Sequence, residues 1–123
     1  RRQLVARYFA TLRTDPAVRL PERGNDDHSW HIFAPLVPFA QLRIGRGEFI
    51  AQMKARGIGV AVHYPAIHTF QYYRGLGYHE GQFPNAERIG RETVSVPLFP
   101  RMRDADVDRV CEAVAAILKD NRR

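Results

Sequence analysis

Apolar residues recur at helical spacing near both ends of the chain. Leu4, Val5, Tyr8, Phe9 and Leu12 fall at i, i+1, i+4, i+5 and i+8, one stripe of an amphipathic helix that Asp15-Pro16 brings to an end. Val107, Val110, Cys111, Val114, Ile117 and Leu118 follow i, i+3, i+4, i+7, i+10 and i+11 and predict a longer helix. Asp104 and Asp106 suit its positive N-terminus, Lys119 and Arg122 its negative end. Between these two, Phe49, Ile50 and Met53 predict a short helix closed by a left-handed Gly57. Pro84, at a tolerated first-turn position, opens another with Ala86, Ile89 and Gly90 on one side.

Elsewhere the period falls to two. Ile58, Val60, Val62 and Tyr64 alternate with Gly59, Ala61 and His63, the pattern of a strand. Residues 29–39 read as extended, with Trp30, Ile32, Ala34 and Leu36 on one face and His31, Phe33 and Val37 on the other. Pro35 and Pro38 each remove a ladder donor and place the second half of this segment at an edge or a bulge. Val94, Val96 and Leu98 suggest a third strand, stopped by Pro97 and Pro100. Residues 65–81 follow neither period; they are Gly-punctuated and hold His68, Phe70, Tyr72, Tyr73, Tyr78 and His79. The element order predicts an α/β (α+β) two-layer sandwich, a small three-stranded sheet packed by helices.

A chain of 123 residues is the size of one domain, and 45% apolar with 26% charged residues argues against disorder. No apolar run approaches the roughly 20 residues of a membrane span, and no secretory signal opens the chain. It opens on Arg1 rather than methionine, as a piece of something longer would. The single cysteine, Cys111, excludes an internal disulfide, fits a reducing cytoplasm and belongs to the apolar stripe of the last helix. The net charge is +6, carried by arginine except for Lys54 and Lys119. These arginines are scattered, with no basic run interleaved with aromatics, so neither a nucleic-acid nor a membrane partner is expected. Arginine's planar fork suits phosphate-bearing small molecules.

His63 and His68 flank Tyr64-Pro65-Ala66-Ile67 with no cysteine or carboxylate in the motif, so no metal-ligand set is complete. Structural roles for the two, at a strand edge and in a turn, stand beside a ligand-lining one. A strand that runs through His63-Tyr64 into an aromatic loop is where α/β domains place binding groups. Tyr72-Tyr73-Arg74 offers rings to stack and a guanidinium for phosphate, although the tyrosines could equally pack on the sheet. Residues 43–47 lack the lysine and hydroxyl of a P-loop. The spacing supports a ligand-lining aromatic loop, with no complete nucleophile or acid–base pair.

Five stretches carry a resemblance, in order along nearly the whole chain. Ser29-Trp30-His31-Ile32-Phe33 looks like the entry strand of the small domain in the DegT/DnrJ/StrS family of sugar aminotransferases. Residues 57–64, followed by His68 and Tyr72-Tyr73, resemble that family's next strand and loop. Phe83-Pro84-Asn85-Ala86-Glu87 is similar to its helix start. Ser95-Val96-Pro97-Leu98-Phe99-Pro100, then Met102 and Asp106-Val107-Asp108-Arg109-Val110, look like its C-terminal signature. Two positions depart: Pro65 lies one place earlier than is usual, and Arg103 stands where a threonine commonly caps the last helix.

The resemblance implies a fold-type-I, pyridoxal-phosphate enzyme that moves an amino group from glutamate to a keto-sugar nucleotide. Residues 1–123 would be its C-terminal small domain, with 1–14 as a linking helix and a large cofactor-binding domain preceding Arg1. The cofactor belongs to that parent enzyme, a homodimer; this chain alone would hold none and would be inactive, because neither Lys54 nor Lys119 has an apolar setting. Substrate-binding candidates are His63, Tyr64, His68 and Tyr73, joined by His31 and Arg74. A related pyridoxal-phosphate sugar dehydratase, and a stand-alone ligand-binding or regulatory module, are the competing readings. The stripe on the first helix fits either the domain's own sheet or the large domain.

Overall fold

The computed structural model describes residues 1–123. Five α-helices, α1 (Arg2–Leu12), α2 (Arg46–Ala55), α3 (Gln71–Gly75), α4 (Pro84–Glu92) and α5 (Asp104–Asn121), are joined by extended segments and 3-10 turns at Phe39–Gln41 and Ile67–Thr69. No helix is long and apolar enough to cross a membrane.

The first and last helices form the frame. Leu4, Val5, Tyr8, Phe9 and Leu12 of α1 are all buried, as are Val107, Val110, Cys111, Val114, Ile117 and Leu118 of α5. They share one core cluster, so the α1 stripe is satisfied within this chain. Arg7 clamps the two helices, donating from Nε and Nη2 to the two carboxylate oxygens of Asp108 at 2.6 Å each. This fork-on-fork geometry is the strongest form of surface ion pair. At the start of α5, where Arg103 replaces a hydroxyl cap, the Asp106 carboxylate reaches back and accepts the Arg103 backbone N–H at 2.8 Å. The cap is thus supplied from inside the helix.

Extended segments lie against this frame, but they do not make the predicted three-stranded sheet. Pairing is reduced to five isolated antiparallel bridges. Residues 93–96 run in the middle. On one side Val94 N donates to Pro35 O (3.1 Å), Val96 N to Phe33 O (3.1 Å) and Val37 N to Glu92 O (2.9 Å). On the other side Ala61 and Ser95 exchange both bonds, at 3.0 and 2.7 Å. The prolines explain why this order never becomes a ladder. Pro35 stands opposite Val94 with no N–H to return, and Pro97 denies the donor that a next pair with Gly59 would need. Residues 58–64, read as a full strand, therefore pair only at Ala61.

Of the two faces predicted for residues 29–39, the one that turns inward carries Phe33 and Val37. Phe33, Pro35 and Val37 are buried, whereas Ile32, Ala34 and Leu36 are half-buried. Trp30 is buried too, because its backbone sits at φ +48 and breaks the alternation before Phe33. Its ring meets Phe9 edge-on at 5.8 Å, and Phe33 stacks on Tyr8 at 5.0 Å with 12° between planes. Such pairs add about 0.5–1.5 kcal/mol beyond burial.

α2 buries Phe49 and Met53 and ends where Gly57 takes φ +72, the left-handed stop its sequence predicts. In α4 the buried residues are Glu87 and Gly90, whereas Ala86 and Ile89 are exposed. Gly90 is where α4 meets the loop after residue 64: a Cβ there would lie 2.6 Å from Ala66 N. Arg46 closes the same junction, donating to the carbonyls of Gly90 and Thr93.

Candidate functional site

The mid-chain bridge between Ala61 and Ser95 sets the position of the first candidate residue. Two residues beyond it, His63 Nδ1 and the Ser95 hydroxyl share a hydrogen bond of 2.9 Å. Ser95 is buried in an otherwise apolar extended stretch, and it fixes the imidazole from below. A cleft of about 260 Å³ opens beside it, lined by His31, Val60, His63, Ser95, Pro97 and Leu98 among others. His31 is exposed and His63 half-buried, so two imidazoles of different solvent access share one small concavity. Tyr64, 69% exposed, sets its ring edge-on to His63 at 5.0 Å.

Residues 65–81 carry more order than their composition suggests. They contain the 3-10 turn Ile67–Thr69 and the single-turn helix α3, which the lack of apolar periodicity concealed. Their aromatic rings form a chain of contacts: His68 with Phe83 at 4.9 Å, Phe83 with Tyr78 at 6.3 Å, Tyr78 with Tyr73 at 6.3 Å, and Tyr73 with Tyr72 at 5.3 Å. Three of the four are edge-to-face, the arrangement the ring quadrupole favours. Tyr72 is 72% exposed, and Tyr73 is half-buried with its ring between those of Tyr72 and Tyr78. Arg74, the last basic residue of α3, is exposed and forms no ion pair within the chain.

His68 has a different environment from the other candidates. It is buried, and its Nε2 lies 2.9 Å from Glu87 Oε1. Burial by itself would push the Glu87 carboxyl up; bonds from His68 and from the amides of Gly81 and Phe83 outweigh it and hold the group below the usual carboxylate range. His68 is the one buried residue among the six candidates. Glu87 and Ser95 are the two site residues that sequence reasoning passed over. The available signal was a polar residue inside an apolar extended stretch, and an acid near the start of a helix downstream of an unpaired histidine.

A larger cavity, about 600 Å³, lies away from all of these, between Pro16, Gln41, Leu42, Arg122 and Arg123. Its two guanidinium groups are already bonded, Arg122 Nη2 to Asp15 Oδ1 at 3.0 Å and Arg123 Nε to Leu42 O at 2.8 Å. Beyond them its only other polar side chain is that of Gln41. The small cleft with its histidines and neighbouring aromatic segment is the better site.

The same residues that build this site lie within a family match. Residues 1–115 match the DegT/DnrJ/EryC1/StrS aminotransferase family. The chain belongs to that family. The spore coat polysaccharide biosynthesis protein SpsC of Bacillus subtilis is 36% identical over 122 residues, 97% of this chain and 31% of SpsC. The Methanocaldococcus jannaschii protein MJ1066 is 40% identical over 96 residues, 77% of this chain and 25% of MJ1066. The crystal structure of DesV from S. venezuelae, in complex with a ketimine intermediate, superposes with a TM-score of 0.80 at 33% identity. That match covers 94% of this chain and 30% of DesV. This DegT-family chain thus spans roughly a quarter to a third of the relatives it matches.

The family implies pyridoxal phosphate. The residues of this chain do not fit its covalent attachment: Lys54, in the last turn of α2, and Lys119, in the last turn of α5, are both exposed. A cofactor-bearing lysine needs a desolvated or charge-rich setting, which neither exposed side chain has.

Proposed function

We propose that these residues form the C-terminal small domain of a pyridoxal-phosphate aminotransferase that passes an amino group from glutamate to a keto-sugar nucleotide, and that they supply the sugar-nucleotide side of its cleft. The observation that carries this reading is the cleft shared by His31 and His63, one ring held by Ser95 and the other free in solvent. Sugar hydroxyls are recognised by fixed polar groups that offer both donors and acceptors, and neutral imidazole has one of each. Tyr64 and Tyr73 add faces on which a sugar or a base can rest. Arg74, unpaired at the end of α3, offers two parallel N–H bonds to a diphosphate. His68 supports this wall without touching the substrate. The remaining machinery would come from a large domain preceding Arg1, which would carry the cofactor lysine, and from the second subunit of a homodimer.

The test compares two products of the reading frame. The frame extended upstream of Arg1 should yield a protein that, with pyridoxal phosphate, transfers the amino group of glutamate to a keto-sugar nucleotide. The 123-residue chain should transfer none. Transfer by the chain alone, or none by the longer product across a panel of keto-sugar nucleotides, would overturn the reading.

A further inference from the structure

The use made of Glu87 is unusual for a buried acid. One oxygen, Oε1, gathers three donors: His68 Nε2 at 2.9 Å, the Gly81 amide at 2.8 Å and the Phe83 amide at 3.2 Å. These donors stand at the two ends of the aromatic segment, residue 68 where it begins and residues 81–83 where it rejoins α4. The intervening residues have little core of their own: Phe70, Tyr72, Leu76 and Tyr78 are each more than 40% exposed. A stretch of that length without buried apolar anchors is held by few contacts and opens easily. Here the two ends are tied to one atom on a helix that is itself locked to the preceding loop at Gly90.

We propose that Glu87 is the positioning residue of the substrate wall: by closing residues 68–83 on α4 it sets the places of Tyr78 and Tyr73. The ring contacts transmit the constraint. His68, bonded to Glu87, meets Phe83, Phe83 meets Tyr78 and Tyr78 meets Tyr73, each a single ring contact from the next. Glu87 itself is 5% exposed and so is not a group a substrate reaches directly. The closing part of the inference stands on the geometry alone; its effect on substrate rests on the aminotransferase reading above.

Two variants and two readouts test it. Glu87→Ala removes the acceptor, and Glu87→Gln keeps an acceptor oxygen of the same reach but removes the charge. In the 123-residue chain, Glu87→Ala should speed hydrogen exchange at the Gly81 and Phe83 amides by about tenfold or more, the loss expected for bonds to a charged acceptor, while α5 amides such as that of Leu118 stay protected. Glu87→Gln should fall between Ala and wild type. If Glu87→Ala loses α5 protection as well, Glu87→Gln decides: faster exchange at 81 and 83 alone supports the clamp, and wild-type exchange there overturns it. In the longer, amino-transferring protein the same variants should raise KM for the sugar nucleotide with kcat little changed, with Gln restoring part of the loss. Faster exchange at 81 and 83 with unchanged KM would overturn the positioning role. Failure of the wild-type protein to transfer an amino group is separate, since it removes the aminotransferase reading and leaves the exchange result intact.

Discussion

The Tyr8 hydroxyl on α1 donates a 2.7 Å hydrogen bond to the carbonyl of Pro97, a residue that lines the cleft beside His63. The first helix is therefore joined to the wall of the candidate site, as well as to α5. Pro97 cannot extend a ladder through its nitrogen, yet its oxygen is used. Burial raises the Tyr8 phenol above its ordinary pKa, with the Cys111 and Asp106 charges adding to the effect, so the hydroxyl remains a donor.

Tyr8→Phe separates the hydroxyl from the ring. The stack on Phe33 would remain while the Pro97 carbonyl loses its partner, at a cost of about 1–2 kcal/mol. Tyr8→Ala empties the stack as well and should cost about 3–5 kcal/mol. Urea unfolding of the two variants beside the wild type measures both.

Acid should weaken the fold through a small set of carboxylates. Asp108 is held below its ordinary pKa by the Arg7 hydrogen bonds, and Asp106 by the Arg103 backbone amide. Glu87 is lowered by its own three donors. The unfolded chain takes up protons at the ordinary carboxylate range, about 4, before the folded one does. Stability should therefore be level above about pH 5 and fall as pH drops through and below that range. Asp108→Asn should be less stable at neutral pH and lose less on acidification. Urea midpoints between pH 7 and pH 3 give the comparison; an equal acid response in wild type and variant would remove Asp108 from the set.

Cys111 faces the α1–α5 seam and is buried, and burial pushes its thiol up to about 12. Only the thiolate attacks, so a maleimide at pH 8 should leave the folded chain unmodified and label it at once in denaturant. Rapid labelling of the native chain would show that the seam opens.

Gly90→Ala introduces a methyl group 2.6 Å from Ala66 N and 3.2 Å from Pro65 C. Backbone cannot yield as a side-chain tip does, so α4 and residues 65–66 must separate, at roughly 1–3 kcal/mol. The Tm should fall even though alanine is the better helix former. An unchanged or raised Tm would mean the contact is looser than the structure shows.

How much of this was legible along the chain depended on the range of the interaction. α1, α2 and α5 follow from apolar spacing, and α4 from Pro84, because a helix carries its own hydrogen bonds within a few residues. The three extended segments were also visible, but their assembly was not. Whether Val94 and Ala61 sit in a ladder is decided by what stands opposite, and Pro35 and Pro97 take donors away from partners some sixty and forty residues distant in sequence. The same distinction divides the site. His63, Tyr64 and Tyr73 stand out by local density of aromatic and polar groups. That His68 is a buried support could be known only with Glu87, nineteen residues on and on a different element.

The most direct measurement of the central claim is steady-state amino transfer by the longer protein carrying His63→Ala or His31→Ala. If the cleft these histidines share receives the sugar nucleotide, each variant should raise KM for that substrate by about tenfold, the loss of one useful hydrogen bond, with the far-UV circular dichroism unchanged. Wild-type KM and kcat for the sugar nucleotide in both variants would contradict the account.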